Sequence, residues 1–180
     1  RRPNNMTHEI LLAGFGGQGI LFSGKFLAYD GLLENREVSW LPSYGPEMRG
    51  GTANVTVILS DKPISSPILN KFDTAVILNQ QSMDKFEGAV KPGGLLIYDP
   101  NGITRFPERK DITICSIAAA EESALLGNAK AFNMIVLGAY LKMKPIVSME
   151  NVIKGLKKSI PERHHHLIPM NEKAIEIGME

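Results

Sequence analysis

An apolar pentapeptide that runs straight into a glycine turn constrains this chain most. Glu9-Ile10-Leu11-Leu12-Ala13 is followed at once by Gly14-Phe15-Gly16-Gly17-Gln18-Gly19. From Ile20 to Leu33, the residues Ile20, Leu21, Gly24, Leu27, Ala28 and Leu32 mark one helical face. Strand, glycine turn and helix open a doubly wound α/β unit. Gly14, Gly16 and Gly19 have the spacing of a dinucleotide fingerprint. Such glycines let the backbone approach a ligand, and the helix N-terminus offers free N–H groups to a phosphate. A nicotinamide dinucleotide also needs a carboxylate at the end of the second strand. That position reads Trp40-Leu41-Pro42-Ser43, with no acid. Another phosphate-bearing ligand, or a purely structural tight turn, stays open. The spacing Gly19-x-x-x-x-Gly24-Lys25 imitates a Walker A loop. Phe26 stands where Ser or Thr is required, however, and the stretch lies inside a helix.

Further along, Glu37 to Leu41 reads as a second strand closed by Pro42. Ala53 to Val57 alternates apolar and polar, a strand with one wetter face. Thr74 to Leu78 is continuously apolar and suits a strand covered on both faces. A helix is expected over about 81–90, ended by Lys91-Pro92-Gly93-Gly94. Leu95 to Tyr98 and Ile112 to Cys115 complete the strands. Beyond them the chain reads as helical, with a buried helix over 131–142. Next comes an amphipathic helix marked by Val152, Ile153, Leu156 and Ile160 with Ser148 as its N-cap, and a last helix over 171–177. Strands alternating with helices predict an α/β fold: a doubly wound, mainly parallel sheet with helices on both faces and a Rossmann-like opening. No repeat or linker composition divides it. The expectation is therefore a single domain over 1–180, its body at 8–178. Residues 1–7 are expected to be a flexible or appended start, with Met6 as a candidate natural initiator.

The loop from Ser43 to Gly51 gathers Ser43, Tyr44, Glu47, Met48 and Arg49 among Gly45, Pro46, Gly50 and Gly51. Glycines and a proline at this density forbid regular structure. Loops of this kind carry function more often than core elements do, although a surface loop with a local Glu47–Arg49 contact is the plain alternative. Loops after the first and second strands share the carboxyl edge of an open α/β sheet, so this loop and the glycine turn are expected to flank one crevice, or a subunit interface.

Lys plus Arg number 20 and Asp plus Glu 19, a balance that does not advertise nucleic acid or a membrane surface. No apolar run is long enough to span a bilayer, and a cytoplasmic location is the expectation. The single cysteine excludes a disulfide framework and an Fe–S cluster held by this chain alone. Cys115 ends a strand and reads as packing, not as a nucleophile. His164, His165 and His166 point in different directions along a helix or strand, so they read as a polar connector and not as a metal site. No catalytic constellation is present: the chain offers no G-x-S-x-G, H-E-x-x-H or paired-carboxylate signature.

Ile10 to Ile20 nevertheless resembles the opening of the gamma subunit of 2-oxoacid:ferredoxin oxidoreductases. Pro42-Ser-Tyr-Gly-Pro-Glu-Met-Arg-Gly-Gly-Thr-Ala-Asn54 is similar to that family's second hallmark, most like its 2-oxoglutarate branch. Lesser echoes are Lys91 to Gly94, Asn133-Met134 with Leu137-Gly138, and Asn171 to Ala174, so the resemblance spans about 8–178. It implies a subunit of a complex that decarboxylates a 2-oxoacid to an acyl-CoA and passes electrons to ferredoxin. Thiamine diphosphate and Fe–S clusters would then sit on partner subunits, alpha, beta and in some complexes delta. This chain lacks a G-D-G…N-N thiamine motif, and activity in isolation is not expected. By position, Gly14, Gly16, Gly17, Gln18 and Gly19 would receive a phosphate, such as that of coenzyme A, or approach another subunit. Ser43, Tyr44, Gly45, Glu47, Arg49 and Gly50 would face the partner chains near the active-site entrance, with Arg49 pairing a phosphate or carboxylate. Two rivals are a free-standing Rossmann-type dehydrogenase and a scaffold subunit that binds no ligand. Alone, such a chain is expected to expose assembly surface and to form a homodimer or looser aggregate.

Overall fold

The computed structural model describes residues 6–44 and 52–180. Each apolar run becomes a strand because the sheet gives it something to face. The strands are β1 (Thr7–Phe15), β2 (Glu37–Tyr44), β3 (Thr52–Ser60), β4 (Phe72–Ile77), β5 (Val90–Tyr98) and β6 (Thr113–Ser116). Among the described residues they form one six-stranded sheet in the order β2-β3-β1-β4-β5-β6. β1, β4, β5 and β6 pair in parallel. β3 runs antiparallel to both β1 and β2. β2 therefore points the same way as β1, and β3 alone is reversed. Only seven residues, 45–51, join β2 to β3, whereas a parallel crossover needs a dozen or more.

The helices are α1 (Ile20–Leu33), α2 (Gln80–Phe86), α3 (Ala119–Leu125), α4 (Phe132–Met143), α5 (Met149–Ser159) and α6 (Ile168–Met179). Alternation along the strands divides the core in two. Ile10, Leu12, Val55, Val57, Leu59, Val76, Leu95 and Ile97 pack against α1, α4, α5 and α6. Leu11, Ala13, Ala75, Ile77 and Leu96 pack on the opposite face against Met83 of α2 and Ile103. The sheet is thus covered on both faces, heavily on one and thinly on the other. No helix among the described residues is long and apolar enough to cross a membrane.

Several boundaries differ from the sequence pattern for identifiable reasons. Pro42 does not close β2, which continues to Tyr44. β2 is an edge strand, and an edge tolerates a residue without an N–H. Lys91 to Gly94 lie inside β5 and do not end a helix; the register against β4 shifts there, and Gly93 has φ +80°. The preceding helix stops at Phe86 and closes with a 3-10 turn over Glu87–Ala89. Leu32, counted on the helical face of α1, is 56% exposed, while Phe26 and Asp30 are buried in its place. α1 is held between the sheet and α5, so its buried surface is broader than one stripe. The last helix begins earlier than expected, at Ile168, with Pro169 in its first turn, where proline fits.

Other expectations hold. All eight residues from Met134 to Leu141 are buried. Ser148 caps α5, its hydroxyl accepting from the Asn151 N–H at 3.2 Å. The Ser148 N–H in turn donates to Glu34 Oε1 at 2.7 Å, which ties α5 to the end of α1.

Candidate functional site

β1 leaves the sheet at Gly14 and Phe15, and the chain turns through a 3-10 segment, Gly16–Gln18, into α1. Gly19 adopts φ +75°, a left-handed conformation that side chains with a Cβ rarely tolerate. The turn is held by Gln18, whose Oε1 accepts from the Phe15 N–H at 2.7 Å and whose Nε2 donates to the Leu78 carbonyl at 3.1 Å. Gln18 therefore locks the ends of β1 and β4 together, and its amide is already engaged. Gly14 serves the same lock, since a Cβ there would sit 2.5 Å from Gln18 Oε1. Gly16 and Gly17 differ: a Cβ at either would meet nothing within 4 Å. Their backbone faces open space, and no side chain caps the N-terminus of α1. The two outer glycines shape the turn, and the two inner ones leave it uncovered.

In front of the turn lies an open groove of about 530 Å³. Gly17, Gln18 and Gly19 form one wall; Ser123 of α3, Lys130 and Asn133 stand in the other. Lys130 is exposed, and no carboxylate pairs with it among the described residues. Its position is fixed by Asn128, whose Oδ1 accepts from the Lys130 N–H at 3.0 Å. Sequence reasoning missed Lys130 and Ser123 as lining residues. The pattern Asn128-Ala129-Lys130 is a capping signal that could have located a turn and its cation. A groove with an uncapped helix start, bare glycine backbone and an ammonium group suits a phosphate.

The glycine turn and the end of β2 do reach one edge of the sheet. Gly14 pairs with Ala53, and Ala53 pairs with Tyr44, so the turn and the end of β2 share the carboxyl edge, one strand apart. Ser43 is exposed there. Gly45, Glu47, Arg49 and Gly50, together with Met48, lie outside the described residues. Among the described residues β2 ends without the carboxylate that the ribose of a nicotinamide dinucleotide would need there.

The other singled-out groups have ordinary surroundings. Cys115 is half-buried against the main core, and burial pushes its thiol pKa up, away from nucleophilic character. The three histidines lie in the 3-10 helix Glu162–Leu167. His165 Nε2 is 2.9 Å from both the Lys157 and Ile160 carbonyls, where its N–H donates. Among the described residues, no group of three His, Cys, Asp or Glu is placed to hold a metal ion.

A family model described as pyruvate ferredoxin/flavodoxin oxidoreductase matches residues 9–180. The chain belongs to this family. It is 38% identical to 2-oxoglutarate synthase subunit KorC of Methanocaldococcus jannaschii, covering 90% of this chain and 88% of that protein. It is 32% identical to ketoisovalerate oxidoreductase subunit VorA of Methanothermobacter marburgensis over 99% of this chain, but spans only 37% of VorA. Among solved structures, the gamma subunit of a keto/oxoacid ferredoxin oxidoreductase from Geobacter sulfurreducens superposes with a TM-score of 0.84. That match has 27% identity and covers 97% of this chain and 95% of the other. The resemblance carried by the two glycine-rich segments thus holds along nearly the whole chain. Its fold is that of an oxidoreductase gamma subunit.

Proposed function

We propose that this chain is the gamma subunit of a cytoplasmic 2-oxoacid:ferredoxin oxidoreductase acting on 2-oxoglutarate, folded as one domain over 8–178. We further propose that it receives the phosphate end of coenzyme A at the glycine turn. The groove in front of Gly17, Gln18 and Gly19, with Lys130 opposite, is the observation that carries this reading. The likeness to KorC supports the 2-oxoglutarate branch.

The residues fit a phosphate and do not fit the redox groups. A lone, half-buried Cys115 cannot ligate an Fe–S cluster. As the family resemblance implies, thiamine diphosphate and the clusters would sit on alpha and beta partners, and in some complexes delta, where the thiamine would supply the carbanion chemistry of decarboxylation. In this scheme the present chain performs no bond-making step. The bare backbone and uncapped start of α1 hold phosphate oxygens by N–H donation. Lys130 offsets their charge, and the rigid Gln18 lock keeps the turn from closing over the groove. Ser43, Tyr44, Gly45, Glu47, Arg49 and Gly50 would meet the partner chains at the shared edge. Binding the nucleotide end of coenzyme A far from its thiol would position the thiol without touching it.

Replacing Lys130 by Ala in the assembled complex tests the ligand assignment. The Michaelis constant for coenzyme A should rise about tenfold, as expected for one lost charge-assisted phosphate contact. The constant for the 2-oxoacid and the subunit composition should be unchanged. An unaltered coenzyme A constant would instead favour a scaffold role for this edge.

A further inference from the structure

The glycine turn and Lys130 lie on the heavily covered face of the sheet. A second polar groove lies on the other face. It is lined by Thr52 and Asn54 of β3 and by Gln81, Ser82, Lys85 and Phe86 of α2, with a volume of about 280 Å³. The placement follows from the strand alternation: Asn54 pairs with Ala13, which belongs to the thin-side core. α2 is fixed over it by Asn79, whose Oδ1 accepts from the Ser82 N–H at 2.9 Å. Met83 anchors the same helix in the core below.

The polar groups here are under-used. Ser82 is 2% exposed and Asn79 1%, yet Ser82 Oγ and Asn79 Nδ2 have no hydrogen-bond partner among the described residues. Buried polar atoms are nearly always satisfied, and of these two residues Ser82 lines the groove. Lys85 is exposed with its ammonium 5.3 Å from the Phe86 ring centroid, and no carboxylate pairs with it among the described residues. Nearby Asp84 is taken by Arg105 at 3.2 Å, so it does not neutralise this cation. The side chains of Thr52, Asn54 and Gln81 likewise bond to nothing among the described residues. Among the described residues the groove therefore combines an ammonium, two amides and two hydroxyls, with no carboxylate in its wall. Its size is just below the roughly 300–1,000 Å³ of drug-sized pockets, which suits a small ligand.

We propose that this groove is a second anion site, taking a carboxylate or phosphate group with Lys85 as counter-ion and the Asn54 and Gln81 amides as donors. It is separate from the coenzyme groove and does not depend on it. The test is an amide NMR titration of the full chain with sodium phosphate and, separately, sodium succinate, at ionic strength held constant with chloride. Saturable shifts at Thr52, Asn54, Ser82 and Lys85 are expected with at least one of the two. Tighter saturation by succinate assigns a carboxylate ligand, and tighter saturation by phosphate a phosphate ligand. Lys85→Gln, an exposed and non-disruptive change, should raise the apparent Kd about tenfold with the rest of the spectrum in place. Linear shifts with both anions, saturation confined to the Gly16–Gly19 turn, or an affinity unchanged in Lys85→Gln would each overturn the proposal.

Discussion

Replacing Gly138 by Ala is expected to destabilise this chain by about 3 kcal/mol, at the upper end of the usual cost of overpacking a core. Gly138 lies in α4 with Gly178 of α6 across from it. A Cβ on Gly138 would run into the Ile175 carbonyl, and a Cβ on Gly178 into the Ile135 carbonyl. The two helices therefore touch backbone to backbone, with no flexible side chain to yield. An added methyl must push α6 away and unseat Ala174 and Ile175, both fully buried. Gly17→Ala is the control, because a Cβ there meets nothing within 4 Å; its cost should stay within about 1 kcal/mol, the intrinsic Gly-to-Ala range. Urea unfolding of the two variants checks this. Equal midpoints would contradict the backbone contact.

The second large effect concerns a buried carboxyl group. Asp30 of α1 is fully buried, neither carboxylate oxygen has a hydrogen-bond partner among the described residues, and Gly155 of α5 packs directly onto it. Burial, with a smaller push from Glu34, raises its pKa from 3.8 to about 9. The folded state thus holds a proton that the unfolded chain releases near pH 4. Between about pH 4 and pH 9 the unfolded state binds fewer protons, so this group's contribution to stability falls as pH rises. Asp30→Asn removes the titration while keeping the shape. At pH 8, about four units above the unfolded value, it should stabilise the chain by several kcal/mol, enough to raise Tm by roughly 10 °C for a chain of this size. At pH 4 it should change little. His8 works in the opposite direction: burial and Arg36 lower its pKa, so its contribution weakens as pH falls below 6.5. The wild type minus Asp30→Asn difference therefore isolates the carboxyl group. A Tm difference that does not grow from pH 5 to pH 8 would contradict the buried, protonated state.

Elements whose pattern is local were legible before any coordinates. Ile20 to Leu33 follows a glycine turn and carries its own apolar periodicity, so the helix ends read correctly. The run Met134 to Leu141 announced a helix buried on most sides, and Ser148 announced the start of the next. What could not be read depended on long-range pairing. Nothing local tells Pro42 that it stands on an edge strand, or Lys91 to Gly94 that a neighbouring strand will draw them into the sheet. Leu32 follows the helical stripe, yet α1 turns Asp30 inward because Gly155 leaves room for it. At the site, the glycine spacing revealed the turn, and the edge it shares with the end of β2 followed from α/β topology. The division of labour among the glycines did not follow, because it depends on Gln18 folding back onto Leu78. Lys130 was hidden for a related reason: it reaches the turn only through the packing of α3 and α4 across the sheet.

The most direct test of the account is anaerobic co-purification of the chain from its native cell, followed by an assay of 2-oxoacid-dependent viologen reduction with and without coenzyme A. The account predicts that larger partner chains come with it, that 2-oxoglutarate is preferred over pyruvate and branched 2-oxoacids, and that turnover requires coenzyme A. A chain that emerges alone, or a complex whose activity is indifferent to 2-oxoacid and coenzyme A, would contradict it.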